Sequence, residues 1–141
     1  MKNDDLIRVA VAIVFKEGKF LLCQRKKTAR YGLKWEFPGG KLEPGETAHN
    51  CMTRELQEEL DIVPGTILRE EVHRSAYDDG HIYEVHFCFL ADFSGEPENR
   101  VFESIGWFSP EELKHLDILD GNKELVARLV ASPMEFFRIA P

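Results

Sequence analysis

The sequence predicts an α/β (α+β) fold, a mixed β-sheet sandwiched between helices, and three observations predict it. Apolar runs of strand length, such as LIRVAVAIVF and HIYEVHFCFLA, alternate along the chain with segments of helical period. A chain that interleaves strands with helices covers its sheet with helices on both faces. The 141 residues, 43% hydrophobic and 30% charged, suit one domain (1–141) with a real core, and no repeat or long linker divides it.

The elements follow in order. Residues 6–15 read as a buried strand and residues 19–24 as its partner across the KEGK turn. RKKTARYGLK, residues 25–34, is a polar basic loop, and residues 35–37 form a short apolar segment closed by Pro38, Gly39 and Gly40. KLEPGET then leads into a helix over residues 47–60, with Pro44 and Gly45 breaking the chain before it. Ala48, Met52, Leu56 and Leu60 recur every fourth residue and mark its buried stripe.

A long hairpin comes next, residues 66–76 and 81–91 about the turn YDDG. In its second arm His81, Tyr83, Val85, Phe87 and Phe89 share one face, which makes Phe87 and Phe89 core rather than a base-stacking shelf. Residues 105–108 form a further strand. Ser109-Pro110-Glu111-Glu112 starts a helix, with Ser at the cap, Pro in the first turn and Glu at the third position. A last helix over residues 122–131 ends before Pro133. The tail PMEFFRIAP is apolar for a chain end and either folds back on the domain or makes a dimer contact, so the chain is a monomer or a homodimer.

Composition excludes several classes. A formal net charge of -7 argues against bulk nucleic-acid binding, which needs Lys and Arg on phosphates, but leaves room for a small basic pocket. The start MKNDDLIR is acidic where a secretory signal is basic, and the longest apolar run, VAVAIVF, is too short to span a bilayer. Cys23, Cys51 and Cys88 are odd in number with no CxxC spacing, which reads as reduced, buried thiols in a cytoplasmic protein without membrane contact. His49, His73, His81, His86 and His115 likewise lack the close pairings of a zinc site.

RELQEEL, residues 54–60, is the unusual stretch. Glu55, Glu58 and Glu59 sit at i, i+3 and i+4, where like charges destabilise a helix. Two carboxylates ~4 Å apart repel by ~1 kcal/mol in water and ~4 kcal/mol near a protein surface. Either this is a solvated acidic face or it holds a hard cation, since Mg²⁺ takes carboxylate oxygens, waters and substrate phosphates. At ~100° per residue Glu59 lies beside Leu56 of the buried stripe, Glu55 lies a quarter turn away, and only Glu58 points well clear of it. Carboxylates bordering a buried stripe favour the cation.

Read outward, the stretch becomes GKLEPGETAHNCMTRELQEELDI, residues 40–62. Gly40, Glu46, Arg54, Glu55, Leu56, Glu58, Glu59 and Ile62 fall at the spacing of the Nudix box, G-x5-E-x7-R-E-U-x-E-E-x-G-U, where U is a bulky apolar residue. The chain therefore resembles the Nudix hydrolases, and WEFPGGKLEPGE, the strand ending in QR and the later GWFSPEEL resemble the MutT-like branch. Asp61 stands where the box has glycine; Asp tolerates the left-handed helix ending that such a glycine serves, at a modest stability cost.

The resemblance implies a Nudix fold and a mechanism. Glu55, Glu58 and Glu59, with the Gly40 carbonyl, are the metal ligands for Mg²⁺ or Mn²⁺, and these glutamates are also the catalytic residues, with Glu55 or Glu58 as the base. Glu103 is a further ligand from a late loop, in competition with Glu98 and with a plain exposed acid. Arg54 is a structural ion-pair partner with Glu46 and Glu58 as its candidate mates. Arg25 and Arg30 fall where the MutT-like branch touches nucleotide phosphates. Asn122, in DGNKELVARL, falls where that branch presents an asparagine to the base; its alternative is a helix cap. Guanine offers acceptors at N7 and O6, whereas 8-oxoguanine carries a hydrogen on N7, so one amide matches only the oxidised edge. The implied activity is nucleoside triphosphate hydrolysis to monophosphate and pyrophosphate, with 8-oxo-dGTP as the sanitised substrate. An RNA 5′-triphosphate pyrophosphohydrolase and a catalytically silent nucleotide-binding module are the alternatives.

Overall fold

The structure, a computed structural model, describes residues 6–135. Strand β1 (Leu6–Lys16) is buried continuously from Ala10 to Val14 because it lies inside the sheet with a helix layer on each side. It pairs antiparallel with β2 (Lys19–Gln24) and β4 (Gly39–Lys41), and parallel with β7 (Ile82–Leu90). Strand β3 (Trp35–Glu36) extends the sheet beyond β2, β9 (Ser104–Phe108) also pairs with β2, and β6 (Ile67–Ala76) closes the far side against β7. A small pair, β5 (Val63–Pro64) with β8 (Phe93–Ser94), stands apart. The β1–β2 turn puts Glu17 at φ 54° and Gly18 at φ 81°, the two left-handed residues that match the twist of a tight hairpin.

Helices cover both faces, as the sequence predicts. On one face Ala10, Ala12 and Val14 of β1 meet Cys51, Met52, Leu56 and Leu60 of α1 (Ala48–Leu60). The two alanines leave room for the helix to lie close to the strand. On the other, Val11, Ile13, Phe87 and Phe89 pack with Leu113 of α2 (Pro110–Leu113) and Leu125 and Leu129 of α3 (Lys123–Ala131). Phe87 and Phe89 are therefore core.

The boundaries follow local chemistry. Thr47 caps α1, its hydroxyl accepting the Asn50 N–H at 3.1 Å, and Asp61 ends the helix at φ 55° and ψ 38°, the left-handed conformation expected there. Ser109 and Glu112 form a reciprocal capping box at α2. The last helix starts one residue later than expected: Asn122 belongs to a 3₁₀ turn, Asp120–Asn122, and its side chain makes no cap. Three short strands, β4, β5 and β8, carry no sequence signal of their own, because backbone pairing alone makes them. Residues 136–141, most of the apolar tail, lie outside the described residues. Among those described, no helix is long and apolar enough to cross a membrane, and Cys23, Cys51 and Cys88 are free and buried.

Candidate active site

Pairing of β4 with β1, Gly40 opposite Ala10, seats Gly40 against α1. A Cβ at Gly40 would stand 2.6 and 2.7 Å from the two carboxylate oxygens of Glu55, so a larger residue there would displace that carboxylate. The Gly40 carbonyl receives a long 3.4 Å contact from the Cys51 thiol. The helix then orders its glutamates by depth: Glu58 is 59% exposed and Glu55 only 15%. Glu59 lies between α1 and β4, where the Gly39 N–H donates to it and where its Oε1 is buried without a protein partner.

Arg54 organises the opposite flank. Its Nε and Nη2 grip Glu46 at 2.8 and 2.9 Å, a two-pronged bond, while Nη1 holds Glu55 at 2.8 Å and reaches Glu58 at 3.4 Å. Both mates foreseen for Arg54 are thus its partners, and Glu55 is a third. The guanidinium and the Glu43 N–H hold the Glu46 carboxyl down at about 2.

Deeper in, the balance reverses. Burial, then the charges of Glu55 and Glu36, push Glu59 up to about 8. Glu55 is raised as well, chiefly by burial, although Arg54 opposes it. Glu36 on β3 is raised for the same reason, against the pull of Arg25. Raised carboxylates with one buried oxygen unpartnered, beside a backbone carbonyl, form a set of hard oxygen donors that suits a divalent cation.

Glu36 and Glu59 open onto a cavity of about 490 Å³ that Arg25, Arg30, Gly40 and Asn122 also help to line; Glu55 and Glu58 are not among its lining residues. Arg25 is held there by the Arg30 carbonyl, 2.8 Å from its Nε, and by Glu36 at 3.3 Å from Nη1. Arg30 pairs with Asp78 at 2.5 Å, so the hairpin tip anchors the basic loop, and Tyr31 hydrogen-bonds the same carboxylate. Asn122 is 5% exposed. The segment before it runs beside β3, with Trp35 N–H on Asp117 O at 2.8 Å and Leu119 N–H on Trp35 O at 2.9 Å. That places the Asn122 Oδ1 where Phe37 N–H donates to it at 3.1 Å. Glu103 is not among the lining residues, though Val101 and Phe102 are; its carboxylate accepts Lys27 N–H at 3.2 Å. Glu98 lies near Arg100, at 3.6 Å.

Sequence reasoning missed Glu36 and the tyrosines. Glu36 is hidden in an apolar triplet, and only its lone charge between Trp35 and Phe37 hinted at a role. Tyr77 and Tyr83 pack at a tilt along the wall, ring centroids 4.8 Å apart, and Tyr77 OH accepts Gly121 N–H at 2.6 Å.

Comparison with known proteins agrees with this geometry. The chain is 36% identical over 107 residues to the CTP pyrophosphohydrolase of Escherichia coli (strain K12), covering 76% of this chain and 78% of that one. It is 32% identical over 124 residues to the 8-oxo-dGTP diphosphatase of the same organism, covering 87% and 95%. The solution structure of the E. coli ORF135 protein superposes with a TM-score of 0.76 at 30% identity, over 97% of this chain and 96% of that one. The NUDIX domain family matches residues 6–129. That match runs from β1 into α3, and on that ground the chain belongs to the NUDIX family.

Proposed function

We propose that the chain hydrolyses a nucleoside triphosphate to the monophosphate and pyrophosphate with a divalent cation, Mg²⁺ or Mn²⁺, held by Glu55, Glu58, Glu59 and the Gly40 carbonyl. The observation that carries the reading is Glu59: a carboxylate pushed up to about 8 with a buried, unpartnered oxygen, set beside Glu55 and the Gly40 carbonyl, suits a divalent cation that displaces its proton. When bound, the ion offsets the carboxylate repulsion, neutralises the polyphosphate and makes a water acidic enough to attack. Glu55 or Glu58 takes the proton from the water that attacks the β-phosphorus, and the nucleoside monophosphate leaves. Arg54 keeps Glu55 aimed, Arg25 and Arg30 take phosphate oxygens, and Glu103 supplies a further carboxylate once the Lys27 contact opens. The buried thiols and a nucleotide substrate suit a reducing cytoplasm.

Asn122 narrows the base. A backbone N–H only donates, so the atom facing Phe37 is Oδ1, which fixes the orientation of the amide. A second lone pair on Oδ1 and the NH₂ group remain for a ligand. They match an edge with an acceptor beside a donor: O6 and N7–H of 8-oxoguanine, or N3 and N4–H₂ of cytosine. Ordinary guanine, with two acceptors on its N7/O6 edge, mismatches there, whereas adenine, with N7 beside N6–H₂, also fits, so ATP is the control in the panel. This one requirement covers the substrates named for both E. coli relatives.

The test is incubation with Mg²⁺ and a panel of CTP, dCTP, 8-oxo-dGTP, dGTP, ATP, sugar nucleotides and triphosphorylated RNA, with pyrophosphate and phosphate measured separately. Pyrophosphate from 8-oxo-dGTP or the cytosine nucleotides, at a kcat/KM at least about tenfold above dGTP, is expected. Asn122→Ala should collapse that ratio toward one. Pyrophosphate from RNA alone would transfer the activity to that substrate, and binding without turnover of any compound would overturn the hydrolytic reading.

A further inference from the structure

A second group of metal-ligating side chains lies at the other end of α1. His49 is the second residue of the helix, about 15 Å along its axis from Glu59 at ~1.5 Å per residue. Cys88 of β7 stands opposite Glu70 of β6 in the ladder, so the two share a face of the sheet. The N-terminal turn of α1 lays His49 over them, with Nε2 3.3 Å from Glu70 Oε1. The ligand atoms of His49, Glu70 and Cys88 all lie within 4.8 Å of one another.

The carboxylate in this group is oriented from behind. His86, two residues before Cys88 and on the same face, has Nδ1 3.3 Å from Glu70 Oε2 and Nε2 3.0 Å from Glu84 Oε1. Glu84 is 8% exposed and is itself bound by Arg74 at 2.8 Å, with Arg8 at 3.5 Å. One Glu70 oxygen is thus engaged by His86, and the other faces His49. Carboxylate–histidine relays of this kind hold first ligands in place around metals.

We propose that His49, Glu70 and Cys88 form a second cation site, for a borderline-soft divalent ion of the zinc class, with the fourth position open to water. The donor set differs in kind from the all-oxygen set at Glu55 and Glu59: nitrogen and sulfur select zinc-like ions where carboxylates and carbonyls select Mg²⁺. Zinc holds sulfur at about 2.3 Å and nitrogen or oxygen at about 2.0–2.2 Å, so tetrahedral ligand atoms stand about 3.3–3.6 Å apart. The His49–Glu70 spacing of 3.3 Å already meets this, and Cys88 closes onto it by about 1.5 Å at most. Burial, with Glu70 and Cys51 nearby, pushes the Cys88 thiol up to about 12. Ligation therefore breaks the S–H bond, forms the metal–sulfur bond and releases one proton to solvent. The bound ion ties the start of α1 to the β6–β7 hairpin. Histidine spacing in the sequence pointed away from any such site, because the three ligands come from separate elements.

The test strips metal from the full chain, holds Mg²⁺ in excess and titrates with Co²⁺, following the thiolate-to-cobalt charge-transfer absorption. One equivalent should raise that band; Cys88→Ala and His49→Ala should abolish it, and Cys51→Ala, which removes the nearby thiol on α1, should keep it. Zn²⁺ should raise the melting temperature of the parent, with an affinity at least about tenfold weaker in His49→Ala, whose exposed side chain can be removed without harming the core. No thiolate band in the parent, a band that survives His49→Ala, or one lost in Cys51→Ala would overturn the site and leave a His–Glu–His ion-pair ladder. Turnover of His49→Ala in Mg²⁺ alone should equal that of the parent, so failure here and failure of the hydrolytic reading are separately visible.

Discussion

Glu46 and Glu59 flank the two ends of α1, and the protein treats their charges in opposite ways. Glu46 is gripped by both prongs of Arg54 and receives the Glu43 N–H, which holds it at about 2. Glu59 is pushed up to about 8, by burial first and then by the charges of Glu55 and Glu36, against the pull of the Gly39 N–H, and one of its oxygens is buried without a protein partner. One carboxylate is complete within the chain and serves as scaffold. The other keeps a buried oxygen with no hydrogen-bond partner among the described residues, the position that the proposed cation would fill. Glu55 stands between: Arg54 touches it at 2.8 Å, yet burial still raises it.

The largest way to break this comparison is to remove the reactive carboxylates. Glu55→Gln and Glu58→Gln should each leave a folded protein, by circular dichroism, with kcat/KM down about 10²–10⁴-fold. Parent-like turnover in both would reduce the acidic helix to a solvated face. Next comes the scaffold. Arg54→Ala removes both prongs on Glu46 and the restraint on Glu55, so both the melting temperature and turnover should fall. Arg54→Lys should recover the charge but not the two-pronged grip, giving an intermediate result; full recovery would mean that charge alone matters.

The pH dependence sharpens the contrast. Below the ordinary glutamate pKa, both folded and unfolded chains carry the Glu59 proton. Between about 4.5 and 8 the folded chain keeps a proton that the unfolded chain has lost, so metal-free stability falls as pH rises through that window. The slope is at most about 1.4 kcal/mol per pH unit. Urea midpoints from pH 5 to 8 should show it, and either Glu59→Gln or saturating Mg²⁺ should flatten it. A slope that persists in Glu59→Gln would assign it to another group. The smallest effect belongs to the helix end: Asp61→Gly should stabilise by about 0.5–1 kcal/mol through its left-handed backbone. Loss of the exposed Asp61–Arg100 pair at 3.2 Å offsets part of that. Turnover should be unchanged.

Much of this was legible in the residues. A continuous apolar run placed β1, the YDDG turn and period two placed β6 and β7, the fourfold stripe placed α1, and the spacing of Glu55, Glu58 and Glu59 set their order of depth. Asp61 read correctly as a left-handed ending because backbone preference is local. Asn122 was readable only as an alternative between a helix cap and a ligand contact, since one short polar side chain serves both. The fold chose neither cap nor solvent and set Phe37 N–H against Oδ1.

The sequence by itself determined the elements, the faces they bury and the carboxylate pattern on one helix, because these depend on residues a few positions apart. Only the tertiary structure decided that β7 runs parallel beside β1, that Glu36 shares the cavity with Glu59, and that His49, Glu70 and Cys88 meet. Periodicity tells which face a residue occupies and says nothing of which strand lies next to it. The charge state of a carboxylate depends on the water removed and the partners supplied by distant segments, and those exist only once the chain has folded.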